Sequence, residues 1–356
     1  MALETEGVTV EAVTHGKVSM HRSSYVIVKG TDNTVAGIVY HGGGDYRPIS
    51  LEGTSCTVYN CVVEHHDSEV WVVLKGIRNT LRNCRFSEKT SDGVMFDVRV
   101  DHDYHSHTIL NNVFQDHAYA DGDNGHETIR LMSISGDRKD GYHTVEGNHF
   151  LRCNGEIEII SSKSRYNTFR NNAFEDNRGY LTLRSNDNNI VEGNVFVDYG
   201  NYPGDAGGVR IYAKNHVLRD NWFIGGDGCL ILHNTYDGHE GSSNITMESN
   251  TMVNCHEAIH FSHYDNGETV EEPLIFSDNF VSNANGDVMI DVPLPAGQSD
   301  FSGGNYFYGE NLGLPEGAEL PAGLVWEPEA KDLGNEGLER FEAIKCKAGP
   351  SWEQTC

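Results

Sequence analysis

A short motif closing on Asn and Phe returns along most of the chain. It reads NTLRNCRF at 79–86, HTILNNVF at 107–114, HTVEGNHF at 143–150, NTFRNNAF at 167–174, NIVEGNVF at 189–196 and HVLRDNWF at 216–223, with looser copies at 57–63, 244–252, 274–280 and 303–307. Phe86, Phe114, Phe150, Phe174, Phe196 and Phe223 stand 28, 36, 24, 22 and 27 residues apart. A period of that length, built of short alternating segments, means a solenoid in which each coil buries its apolar face against the next. The leucine pattern of a leucine-rich repeat is absent. The remaining expectation is an all-β, right-handed parallel β-helix with about three short strands per coil. Coils would stack at ~4.8 Å, so equal positions in successive coils form columns. Phenylalanine would stack inside, while asparagine, which tolerates left-handed backbone, would bond its copies in a ladder.

This places one domain over 1–356, with coils over about 8–310 and an irregular C-terminal cap over about 311–356, where PLPAGQSDFSGG and LGLPEGAELPAG break the repeat. The longest gap, between Phe114 and Phe150, predicts an inserted loop over 116–143. Loops leaving a solenoid on one side often build its binding face.

The formal net charge of −27 argues against nucleic acid and anionic membranes as partners. No apolar run approaches the ~18 residues of a spanning helix. Residues 1–13 carry no charged-then-apolar signal segment. Eight cysteines, an even number, permit disulfides in an oxidising compartment. Cys229 and Cys255 lie one repeat apart, and Cys346 with Cys356 could staple the tail; buried free thiols are the alternative. The expectation is a secreted or periplasmic protein.

Against that acidic background, 12 of the 26 Lys and Arg residues fall between 126 and 220, as a groove for an anionic ligand requires. Within it, NGEIEIISSKS (154–164) places Glu156 and Glu158 two apart. On a strand they share a face, with Ile157 and Ile159 toward the core. Paired carboxylates repel unless a cation or strong donors lie between them, and such oxygens suit Ca²⁺; two solvated surface carboxylates are the plainer reading of the pair alone. Arg184 lies 21 residues beyond Lys163, close to the local coil length of 22, so the two should meet in one column. Arg210, 26 residues further, should stand another coil on.

The stretches NGHETIR, NGEIEIISSKSRYNTFRNNAFEDNRGYLTLR and GGVRIYAKNHVLRDNWF resemble polysaccharide lyase family 6, over roughly 8–290 and most strongly over 122–223. That family contains alginate lyases and the dermatan-cleaving chondroitinase B. The resemblance implies a Ca²⁺ held by Asn124, Glu156 and Glu158, Lys163 as base and Arg184 as acid. It further implies substrate-side roles for Arg130, Arg210 and His126, with Glu127 on the metal or substrate side. The implied partner is an anionic polysaccharide, alginate first and dermatan sulfate second. LRSND after the arginine departs from the family's commoner LRHGN, and GVTVEAVTHGKVSM already reads as an early coil where the family usually has a longer N-terminal portion.

Other readings have their own signatures. Histidines crowd DHDYHSHTILNNVFQDH, where His102, His105, His107 and His117 could hold zinc; His107 nevertheless occupies a repeat position filled elsewhere by Asn and His, which favours a turn role. A β-helix glycoside hydrolase would need clustered carboxylates, and Asp176, Asp187 and Asp205 fall in turns. A non-catalytic polysaccharide-binding solenoid would bind uronate polymers and leave them intact.

Overall fold

A computed structural model describes residues 1–356 apart from 100, 102–103, 121–123, 133–138, 236–237, 264–271, 292–298 and 334. The chain winds as a right-handed parallel β-helix, each coil giving one strand to each of three sheets. The first sheet runs from Ala2–Leu3 to Ile290–Asp291, the second from Thr9–Glu11 to Ser299–Gly303, and the third from Val18–His21 to Leu324–Glu327. Every strand pair is parallel and joins consecutive coils, as in Phe86↔Phe114↔Phe150↔Phe174↔Phe196↔Phe223.

Those phenylalanines form the expected internal stack. Their ring centroids are 5.4, 5.0, 4.7, 4.4 and 4.9 Å apart, close to the coil spacing. The asparagine ladder is present too, and its two expected jobs fall on consecutive residues. The first residue of each pair takes positive φ: Asn83, Asn111, Asn171 and Asp220, with Gly147 and Gly193 at the same place. The second is buried and bonds along the column. Asn148 N donates to Asn172 Oδ1 at 3.0 Å, Asn172 N to Asn194 Oδ1 at 3.0 Å, and Asn194 N to Asn221 Oδ1 at 3.0 Å. Cys61 and Cys84 hold the ladder positions of the early coils, Cys84 N donating to Asn112 Oδ1.

A second ladder runs through Asn79, His107, His143, Asn167, Asn189 and His216. There the imidazole Nδ1 replaces the amide oxygen as acceptor, which gives His107 the turn role its repeat position suggested. His102 lies outside the described residues.

Cys229–Cys255 and Cys346–Cys356 are disulfides, whereas Cys56, Cys61, Cys84 and Cys153 are buried free thiols. The tail does more than close the last coil. After Leu324–Glu327 completes the third sheet, the chain turns back along that sheet's outer face. The helix Glu336–Lys345 packs Phe341 onto Ala173, Val195, Val197 and Trp222. Beyond it Gly349 N bonds Asn111 O, Ser351 N bonds Asn60 Oδ1, and Arg85 Nε pairs with Glu353 at 2.9 Å. The segment is a strap reaching the earliest coils. Its helix is held there because the residues flanking the stacked phenylalanines, which point outward, are apolar in these coils and need a cover.

Candidate active site

The site lies on the outer face of the first sheet. In strict register its outward column reads Asp97, Arg130, Ser161, Thr182, Arg210, Ile231, His260, Asp291. Two residues on lies a second column, just past the strand ends. Backbone bonds there run from Lys163 N to Leu131 O (3.0 Å), Arg184 N to Ser162 O (2.9 Å) and Tyr212 N to Leu183 O (3.1 Å). Lys163 and Arg184 therefore occupy one column on adjacent coils, as their spacing predicted. Arg210 does not continue it. The coil from Arg184 runs to Tyr212 because residues 198–205 bulge out between strands. Arg210 thus sits one coil on but two residues short, in the column of Arg130. Its Nη2 donates to Tyr212 Oη at 2.9 Å, and its guanidinium lies 5.7 Å from the ring centroids of Tyr180 and Tyr212.

Glu156 and Glu158 are buried, 8% and 4% exposed, and with the wholly buried Glu127 bring carboxylate oxygens within 4.8 Å of one another. The expected alternation is only half present. The strand starts at Glu158, a bulge follows it, and Ile157 is 37% exposed rather than in the core, while Ile159 is buried. The carboxylates converge because the coil bends into that strand. Gly125 N (2.8 Å) and His126 N (3.3 Å) both donate to Glu156 Oε2. Burial, then the charge of Glu127, push the Glu156 carboxyl up to about 7 against those two donors.

Both basic residues of the shared column end on this acid cluster. Lys163 Nζ is 3.3 Å from Glu127 Oε1, and Arg184 Nη1 is 2.5 Å from Glu158 Oε1. Burial acts to lower the Arg184 guanidinium, but the charge and hydrogen bond of Glu158 outweigh it and hold it above its ordinary value. Arg130 bridges Asp97 Oδ1 (3.1 Å) and Glu127 Oε2 (3.7 Å). Glu127 Oε2 has no hydrogen-bond partner despite full burial.

Of the other sequence candidates, Asn124 is exposed on the loop before the cluster. His126 turns its imidazole away, accepting from Gly93 N at 3.1 Å. Residues 121–123 and 133–138 of the predicted insertion lie outside the described residues. Asp97, Tyr180, Tyr212 and His233 escaped the sequence reading. Counting 28 residues on from Arg184 along the register would have found Tyr212. His233, stacked on it at 4.2 Å, is held down to about 3 by burial and by the charge of Arg210, and so stays neutral.

Cations from adjacent coils thus converge beside a buried acid cluster on one face of the β-helix. A family model for chondroitinase B matches residues 2–271. The chain belongs to the chondroitinase B family. It is therefore a polysaccharide lyase, and its fold recurs among solved lyases. A mannuronic acid specific family 6 polysaccharide lyase from human gut microbiota superposes with TM-score 0.72 at 20% identity, over 99% of this chain and 91% of its own. A family 6 alginate lyase solved with a trisaccharide gives 0.73 at 21%, over 93% and 88%. The family 6 alginate lyase AlyGC gives 0.78 at 24%, over 99% of this chain but 54% of its own length. No curated protein matches the chain.

Proposed function

We propose that this member of the family cleaves a uronate polymer, alginate first, by β-elimination assisted by Ca²⁺. The observation that carries the reading is the convergence of Lys163 and Arg184, from adjacent coils, on Glu127, Glu156 and Glu158.

The acid cluster fits a hard cation. Its donors are all carboxylate oxygens, it is buried, and Glu127 Oε2 accepts no hydrogen bond, with only the Arg130 guanidinium 3.7 Å away. Glu127, Glu156 and Glu158 would hold Ca²⁺, with Asn124 offering a further oxygen from the loop. When bound, the ion neutralises the sugar carboxylate and so makes the adjacent C5 proton easier to remove.

The chain's own groups do the rest. Lys163, in its neutral form, takes the C5 proton; the freed electron pair forms the C4–C5 double bond, and the O4-linked sugar leaves with its bonding pair. Arg184 and Arg130 face the charge that builds on the carboxylate, and Arg210 takes a neighbouring acidic sugar. Glu158 strengthens Arg184's hold on its protons, so Arg184 serves as a fixed charge and water supplies the proton to O4. The family name favours dermatan sulfate as the second substrate. The two disulfides support action in a secreted or periplasmic setting.

The test is ultraviolet absorbance of the unsaturated product with poly-mannuronate, poly-guluronate and dermatan sulfate, each with and without chelator. Absorbance that rises on a mannuronate or guluronate block and collapses with chelator supports the reading. Polymers that are bound but stay intact would leave a binding solenoid instead, and cleavage without a double bond would mean a hydrolase.

A further inference from the structure

We propose that Glu257, His260 and Asp291, further along the same sheet, form a second divalent-cation site of transition-metal rather than calcium type. His260 and Asp291 are register neighbours in the outward column, and Glu257 lies three residues before His260 on the strand Glu257–Ser262. His260 Nδ1 is 2.8 Å from Glu257 Oε2 and 2.7 Å from Asp291 Oδ2, and one ligand atom from each residue falls within 4.8 Å of the others. One ring nitrogen carries at most one hydrogen and can satisfy one oxygen. Here two carboxylates crowd it, neither approach has hydrogen-bond alignment, and the buried Nδ1 is held by ion pairing alone. A cation among the three donors satisfies all of them at once.

A second, independent observation points the same way. Glu257 and His260 line a groove of about 380 Å³ with Arg210, Tyr180 and His233. His233 is 8% exposed, yet neither of its ring nitrogens has a hydrogen-bond partner. An imidazole without partners at the wall of a polar groove is a ligand or donor still to be used.

The donor set decides the metal. Carboxylates alone, as in the Glu127 cluster, suit Ca²⁺. One imidazole nitrogen with two carboxylates suits Zn²⁺, Co²⁺ or Mn²⁺, and three protein ligands leave positions open to the groove. With Arg210 on the same wall, those open positions would take an anionic group. The site rests on its own geometry and stands or falls apart from the lyase reading.

The experiment is a Co²⁺ titration of the whole protein in saturating Ca²⁺, read by visible d–d absorption, with X-ray absorption at the zinc edge on the Zn²⁺ form. Wild type and Glu158→Gln should each take up one Co²⁺ per chain with imidazole in the ligand shell. His260→Gln should bind it more weakly than the ~10–100-fold that losing an outer-shell partner costs, and Asp291→Asn should weaken it too while its melting stays that of wild type. Absence of Co²⁺ uptake by wild type at millimolar metal overturns the proposal, since His260 is then only an ion-pair partner. Uptake unchanged in His260→Gln, or lost in Glu158→Gln instead, overturns it as well.

Discussion

Asn172 lies in the chain between Lys163 and Arg184, and its side chain ties their coils to the neighbours on either side. It is wholly buried and makes four hydrogen bonds. Oδ1 accepts from Asn148 N and Asn148 Nδ2, and Nδ2 donates to Val145 O and Asn194 Oδ1. Asn172→Ala removes all four. At a net ~1 kcal/mol each the loss is ~4 kcal/mol, and the Asn148 N–H, left buried without an acceptor at a further ~1–3 kcal/mol, brings it to ~5–7 kcal/mol. That is a large share of the ~5–15 kcal/mol a domain commonly has. Equilibrium urea denaturation by circular dichroism measures it, and hydrogen exchange at the Asn148 amide locates it. Asn167→His offers a contrast, because histidine already fills that ladder at 107, 143 and 216; it should lose less than Asn172→Ala. A loss below ~1 kcal/mol for Asn172→Ala would refute the view that the ladder, rather than the sheets alone, sets the spacing of the coils.

Lys163→Ala should lower kcat by ~10²–10⁴ with little change in melting temperature; full activity would remove it as the base. Glu158→Gln should weaken calcium binding by more than ~10-fold in calorimetry and cut lyase activity, and unchanged calcium affinity would dissociate the acid cluster from the ion. Acid should release the C-terminal helix first. Burial raises the Glu175 carboxyl, but hydrogen bonds from His149 and Lys345 outweigh it and hold it below the usual range. Its folded value is thus under its unfolded one, so its stabilisation is present above the unfolded value and lost as pH falls through the folded one. Below about pH 4, exchange of helix amides 336–345 should quicken before that of the ladder amides; simultaneous release would show that Glu175 does not pin the helix.

The repeat made the solenoid legible, because stacked coils demand the same residue at the same turn, and the spacing of Lys163 and Arg184 carried through to one shared column. Arg210 slipped because its coil is lengthened by residues 198–205, and a length count cannot say where in a coil the extra residues fall. Ile157 was misplaced for a related reason: alternation holds inside a strand, and the strand starts one residue later. Glu127 looked secondary in the sequence, since what makes it a member of the acid cluster is contact across a coil rather than proximity to Glu156. The strap was written in Ala173, Val195, Val197 and Trp222, apolar residues on the wrong side of a strand, but nothing in them names what covers them.

That returning segment changes how the molecule can come apart. A stack whose turns touch only their neighbours frays from its ends, one rung at a time. Here His15 of the first coil packs against Trp352 and Asn60 of the third is bonded to Ser351, 291 positions away, so the opening rungs are held until the far end of the chain lets go. The early turns and the final residues should therefore be lost in a single step, and trimming the last dozen residues should loosen the beginning of the protein more than its middle.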